Sequence, residues 1–149
     1  MITAQQIKEL REKTGLSVMS CKKALEGANG DINKAMEILR AEGTLVAEKK
    51  AERALKAGII ETYIHSTKTV GSLVEIRCET DFVARNEEFK IFSHDIAMHI
   101  VASDPKDIEE LLAQPFIKNP DITISDYLKE KIQKFGENIE ISRFVRLET

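Results

Sequence analysis

The hydrophobic spacing of this chain first changes near Gly58, and that change limits the folds open to it. Upstream, apolar residues recur at steps of three and four, as on amphipathic helices. Just downstream, apolar and polar residues alternate, as on half-buried strands, before helical spacing returns near Asn86. A chain of 149 residues with both patterns can build one or two small domains.

The first segment reads as three short helices. Thr3 and Gln6 form a capping box ahead of Ile7 and Leu10, and Gly15 is placed to end that helix in a left-handed cap. A second helix starts near Ser17, with Val18, Cys21, Leu25 and Ala28 as its buried stripe. Asn29-Gly30 breaks the chain and Asp31 caps a third helix, whose inner face is Ile32, Ala35, Met36 and Leu39 and whose end is expected at Gly43. Residues 1–43 therefore form a three-helix module, similar to a ubiquitin-associated-type fold. Residues 44–57, rich in strong helix formers and charge, read as an exposed helical connector closed by Gly58.

Residues 58–149 read as an α+β core. Ile59 to His65 and Val70 to Cys78 are two strands joined by a turn at Ser66–Thr69, the second with Val74, Ile76 and Cys78 on one face. Such alternation fits an antiparallel sheet covered mainly on one side. A helix from about Asn86 to Ser103 carries Phe89, Phe92, Ile96 and Ile100, and Asp104-Pro105 stops it. A short helix comes next, with Ile108, Leu111 and Leu112 as its apolar side, then a Pro-marked loop, Gln114 to Asp121. Thr123 caps a helix closed by Gly136. A last strand carries Ile139, Ile141, Val145 and Leu147 on one face and completes a small three-stranded antiparallel sheet.

Composition narrows the function classes. A formal net charge of −3 is unlike the basic balance of a nonspecific nucleic-acid binder, so no direct nucleic-acid partner is expected. The longest apolar runs fall far short of the ~20 residues of a membrane span, and no membrane partner is expected either. The N-terminus lacks a signal pattern, and Cys21 and Cys78 match no metal spacing, which together read as cytoplasmic. His94 and His99, five apart on a helix, diverge and make a poor metal pair. There is no phosphate-cradling loop and no local catalytic signature. No catalytic residue, cofactor or metal is assigned.

Two places carry candidate binding residues. Met19 lies opposite the buried stripe of the second helix, beside Lys23, with Lys22 at the boundary. An exposed methionine among lysines suits an adaptable protein contact, although a stray apolar residue on a solvated face is common. The run Cys78 to Asn86, CETDFVARN, joins the second strand to the long helix. From spacing alone two arrangements stay open. Thr80 or Asp81 caps a helical turn whose Phe82 and Val83 enter the core, which residue frequencies favour. Alternatively Phe82 projects beside Asp81 as an anchor for a partner, with Arg85 and Asn86 setting the turn.

Blocks in a fixed order run along nearly the whole chain: LREKTGLSVMSCKKALEGANGDINKAMEILRAEG, GIIETYIHSTKTVGSLVEIRCETDFVARNEEF, AMHIVASDP, QPFIKNP and FGENIEISRFVRLE. Together they resemble the elongation factor Ts family. The resemblance implies a translation factor that binds elongation factor Tu, in its GDP-bound and nucleotide-free forms, and promotes GDP release without covalent chemistry. It implies that Thr80, Asp81, Phe82, Val83, Ala84, Arg85 and Asn86 are the exchange signature. Asp81 and Phe82 would intrude beside the partner's nucleotide, and Phe82 would displace a helix end and loosen Mg²⁺. Met19, Lys22 and Lys23 match a second contact region, Phe135 and Gly136 a core turn at the interface, and His65 a strand-end histidine that supports the contact. The sequence departs from longer relatives in one place: only Lys106 to Ala113 joins the AMH helix to the QPF loop, where those carry a helical insertion. A single core of this kind implies a homodimer, and open sheet edges favour pairing. The competing reading is an interaction adaptor without exchange activity.

Overall fold

The structure, a computed structural model describing residues 1–149, is an α+β arrangement of two hydrophobic cores bridged by one long helix. Helices α1 (Ala4–Thr14), α2 (Val18–Gly27) and α3 (Ile32–Lys50) begin where their caps predict. Thr3 and Gln6 form the reciprocal capping box, Ser17 accepts from the Ser20 amide, and Asp31 accepts from the Lys34 amide. Gly15 closes α1 at φ 69°, a backbone conformation that costs other residues strain. Leu10, Cys21, Leu25, Ala35 and Leu39 pack between the three helices. Val18, expected on the buried stripe, is half exposed at the first position of α2.

Helix α3 does not end at Gly43 but runs on to Lys50. A glycine inside a helix costs only about 1 kcal/mol, and the turn beyond this one is anchored. Val46 and Ala47, in the segment expected to be exposed, pack against the second core. Gly43 itself is buried where α3 crosses α7 (Ile124–Phe135); a Cβ there would sit 2.9 Å from Gln133 Oε1. The helix thus crosses residue 44, where the connector was expected to begin, and only residues 51–56 lie between it and the first strand.

The second core lies under a three-stranded antiparallel sheet, ordered β1 (Ala57–Ile64), β2 (Val70–Cys78), β5 (Ile139–Glu148). Gly58 is the second residue of β1 rather than a helix terminator, and a Cβ there would meet the Ile76 carbonyl at 2.6 Å. Val74, Ile76 and Cys78 face inward onto α5 (Glu87–Ser103), whose Phe89, Phe92, Ile96 and Ile100 are fully buried. A one-turn helix α4 (Asp81–Ala84) lies between β2 and α5. After α6 (Ile108–Ala113), the expected loop is a small hairpin of β3 (Pro115–Phe116) and β4 (Asn119–Thr123), held by Phe116 stacked on Tyr127 at 4.5 Å. Asp95, buried beneath it, accepts from the Tyr127 hydroxyl at 2.7 Å and pairs with Lys118 at 3.0 Å.

Strand β5 corrects a second expectation. Ile141 pairs with Ile76 but Arg143 pairs with Glu75, leaving Ser142 as a bulge. One extra residue reverses the facing of everything beyond it. Phe144 therefore packs inward, whereas Val145 and Leu147 leave the face of Ile139 and Ile141 and are exposed. With Ile60, Ile64 and Leu73 they form an apolar outer face on the sheet.

Candidate partner-binding site

The junction between β2 and α5 is built from two caps in series. Thr80, extended at φ −130°, starts α4, and its hydroxyl accepts from the Val83 amide at 3.3 Å. Asn86 starts α5, its side chain accepting from the Glu88 amide at 2.8 Å. Between these fixed points a single helical turn has little freedom. Its inward positions are taken by Val83 and Ala84, both buried, so these two belong to the floor of the site and offer no contact surface. The other positions point outward: Asp81 and Arg85 are exposed and Phe82 is 85% exposed. Of the two arrangements the sequence left open, the structure adopts the projecting one for Phe82 and the buried one for Val83.

Beneath the turn, Cys78 is buried and its thiol donates to the Thr80 carbonyl at 3.3 Å. Burial, and then the negative charge of Glu137, push that thiol up to about 11, so it stays protonated and inert at neutral pH. Glu137 comes directly after the αL cap Gly136 and lies against the junction. Its Oε1 accepts from the amides of Glu79 and Thr80, both at 3.1 Å, and its Oε2 from the Thr80 hydroxyl at 2.7 Å. The Asn138 amide in turn donates to Glu79 Oε2 at 2.6 Å, and the Asn138 side chain donates to the carbonyls of Ala51 and Arg53. Glu79, Glu137 and Asn138 had no sequence signal, because the groups they join are more than fifty residues apart.

The remaining candidates are spread over the molecule. Phe135 is half-buried and packs edge-to-face on Phe89 at 6.1 Å, so its ring serves the core. Gly136 is exposed at φ 70° beside Glu137. His65 is exposed at the opposite end of the β1–β2 hairpin from Thr80, about 25 Å away by the rise of an eight-residue strand. Its Nδ1 lies 3.2 Å from the Tyr63 hydroxyl, and Tyr63 meets His94 edge-on at 5.7 Å. Met19 is 74% exposed on α2, beside exposed Lys22 and Lys23. Glu88 at the start of α5 forms an ion pair with Lys134 of α7, and the Lys134 chain lies against Gly15 of the first module.

The capped turn thus presents a phenyl ring to solvent, flanked by a carboxylate and a guanidinium. The sequence profile of the family described as elongation factor TS matches residues 79–149, which begin at this turn. Elongation factor Ts of Carboxydothermus hydrogenoformans is 46% identical over 193 aligned positions, covering 99% of this chain and 89% of that protein. Its counterpart in Thermodesulfovibrio yellowstonii is 45% identical, covering 99% of this chain and 96% of that protein. The chain belongs to the elongation factor Ts family, a family of translation elongation factors. Both alignments run longer than the chain itself, so these relatives carry residues that have no counterpart here.

Proposed function

We propose that this chain is a guanine nucleotide exchange factor that binds elongation factor Tu and promotes GDP release. The observation that carries this reading is the exposure of Phe82 beside Asp81 on a turn fixed at both ends. A side chain that must displace part of another protein has to protrude and must not fold back. Phe82 supplies the apolar wedge and Asp81 a competing acceptor, while Thr80, Val83, Ala84 and Asn86 hold them and Arg85 flanks them. Met19, Lys22 and Lys23 give a second contact on the first module. His65, Phe135 and Gly136 support the contact from the core.

The mechanism is linkage. A protein that weakens its partner's hold on a nucleotide is itself held less tightly when the nucleotide is bound, by the same factor. It favours a partner state with broken phosphate and Mg²⁺ contacts, so no bond is made or cut and this chain needs no cofactor of its own. No helix is long and apolar enough to cross a membrane, and the site of action is the cytoplasm, where translation occurs. The outer sheet face of Ile60, Ile64, Leu73, Val145 and Leu147 supports a homodimer in which a second copy covers it.

The test is stopped-flow release of a fluorescent GDP analogue from elongation factor Tu. The chain at micromolar concentration accelerates release, and Phe82→Ala abolishes most of the acceleration. An unchanged release rate with the unaltered chain refutes the proposal, and binding without acceleration establishes the adaptor reading instead.

A further inference from the structure

We infer that Glu137 is a positioning residue for the exchange wedge, acting through Phe82 without touching the partner. This rests on the exchange reading above. The carboxylate is only partly exposed, and both of its oxygens are directed at the segment from which Asp81 and Phe82 project. It accepts from two successive amides, Glu79 and Thr80, which lie past the end of β2 and before the first turn of α4, where no backbone ladder holds the chain. The same carboxylate accepts a hydrogen bond from the Thr80 hydroxyl at 2.7 Å. That bond directs the oxygen's lone pairs toward the Val83 amide, which it caps at 3.3 Å.

The clamp is reciprocal. Glu79 Oε2 accepts from the Asn138 amide at 2.6 Å, so Glu137 holds the Glu79 amide while Glu79 holds the residue after Glu137. Arg53 lies 3.6 Å from Glu79, and Asn138 donates to the Ala51 and Arg53 carbonyls at 3.3 and 3.1 Å. Three chain segments, the stretch just after α3, the β2–α4 junction and the α7–β5 turn, therefore meet at one polar node. The two amide bonds to Glu137 are of ordinary length, 3.1 Å, and an ionised acceptor makes such bonds stronger than neutral ones. Without them, Thr80 would lose its fixed orientation and the α4 turn would be free to pivot on the floor formed by Val83 and Ala84. Phe82 would remain exposed but would no longer be aimed.

The test uses the full chain carrying Glu137→Ala or Glu137→Gln, each made with Phe82 intact and with Phe82→Ala. With Phe82 intact, Glu137→Ala lowers the saturating GDP-release rate by about tenfold or more and moves the half-saturating concentration less than twofold. The isosteric Glu137→Gln, which keeps one acceptor oxygen, recovers part of the rate. In the Phe82→Ala background, Glu137→Ala adds less than a twofold further loss, because the residue it aims is gone. Equal fold-losses in the two backgrounds, or a loss confined to the half-saturating concentration, would overturn the inference. Hydrogen exchange on the free chain gives a readout that does not depend on the partner: the Glu79 and Thr80 amides lose protection in Glu137→Ala, whereas the α5 amides keep theirs. Unchanged protection at those two amides would also overturn it. If the unaltered chain leaves release unaffected, the exchange reading falls and hydrogen exchange still decides whether the node orders the turn.

Discussion

Phe82 and Phe89 stand seven residues apart with opposite accessibility, 85% and 0% exposed, so one truncation made at both positions separates docking from packing. Phe82→Ala removes a ring already in water and is expected to change unfolding free energy by less than about 0.5 kcal/mol. Phe89→Ala empties a site packed against Phe92 and Phe135 and is expected to cost about 3–5 kcal/mol. Urea denaturation measures both, and a large loss for Phe82→Ala would mean that its ring is buried in solution. His99 gives a prediction of pH dependence. It is fully buried, its Nδ1 accepts from the Ile117 amide at 3.3 Å, and its Nε2 lies 3.0 Å from Gln114 Oε1. Burial holds its pKa below the ordinary 6.5, opposed by the Gln114 bond. As pH falls through 6.5 the unfolded chain takes up this proton before the folded chain does, so the stabilisation is full above that pH and is lost below it. Denaturation midpoints at pH 7, 6 and 5 should decline, and His99→Gln should lower the midpoint at pH 7 while flattening that decline.

At the scale of elements, signals held within a few residues were legible and those set by a distant neighbour were not. The caps at Thr3, Ser17, Asp31 and Thr123 were readable because each completes its bonds within one turn. The bulge at Ser142 was not, because it exists only in the pairing of β5 with β2. Gly43 looked like a helix end because nothing nearby in sequence reveals the crossing with α7. Gly43 and Gly58, both with close neighbours, should respond in opposite senses. At Gly43 the added Cβ meets the tip of the Gln133 side chain, which can swing aside, so Gly43→Ala gains about 0.5–1 kcal/mol from reduced chain entropy. At Gly58 it meets the Ile76 carbonyl at 2.6 Å, a backbone atom fixed in the sheet, so Gly58→Ala loses about 1–3 kcal/mol. Thermal melts should rise for the first and fall for the second, and a fall in both would mean that the α3–α7 crossing cannot give way.

The whole molecule sets the candidate site in a way the sequence could show only in part. The run from Thr80 to Asn86 was recognisable, but whether Phe82 pointed in or out depended on the buried places already being filled by Val83 and Ala84. The bulge has a consequence at this scale too. By turning Val145 and Leu147 outward it adds them to Ile60, Ile64 and Leu73 on a face that no other element covers. Full burial of one such side chain is worth roughly 1.5–3 kcal/mol, so five of them favour a second copy packed sheet against sheet over one joined only along the edges of β1 or β5. The unaltered chain should therefore sediment at twice its 16.8 kDa at micromolar concentration. Leu73→Glu combined with Leu147→Glu places four carboxylates in the symmetric interface, where burial and mutual repulsion oppose association. That variant should sediment as one chain with an unchanged helical circular dichroism signal. A wild-type mass of one chain would remove the dimer, and a variant that remains dimeric would move the interface to the strand edges.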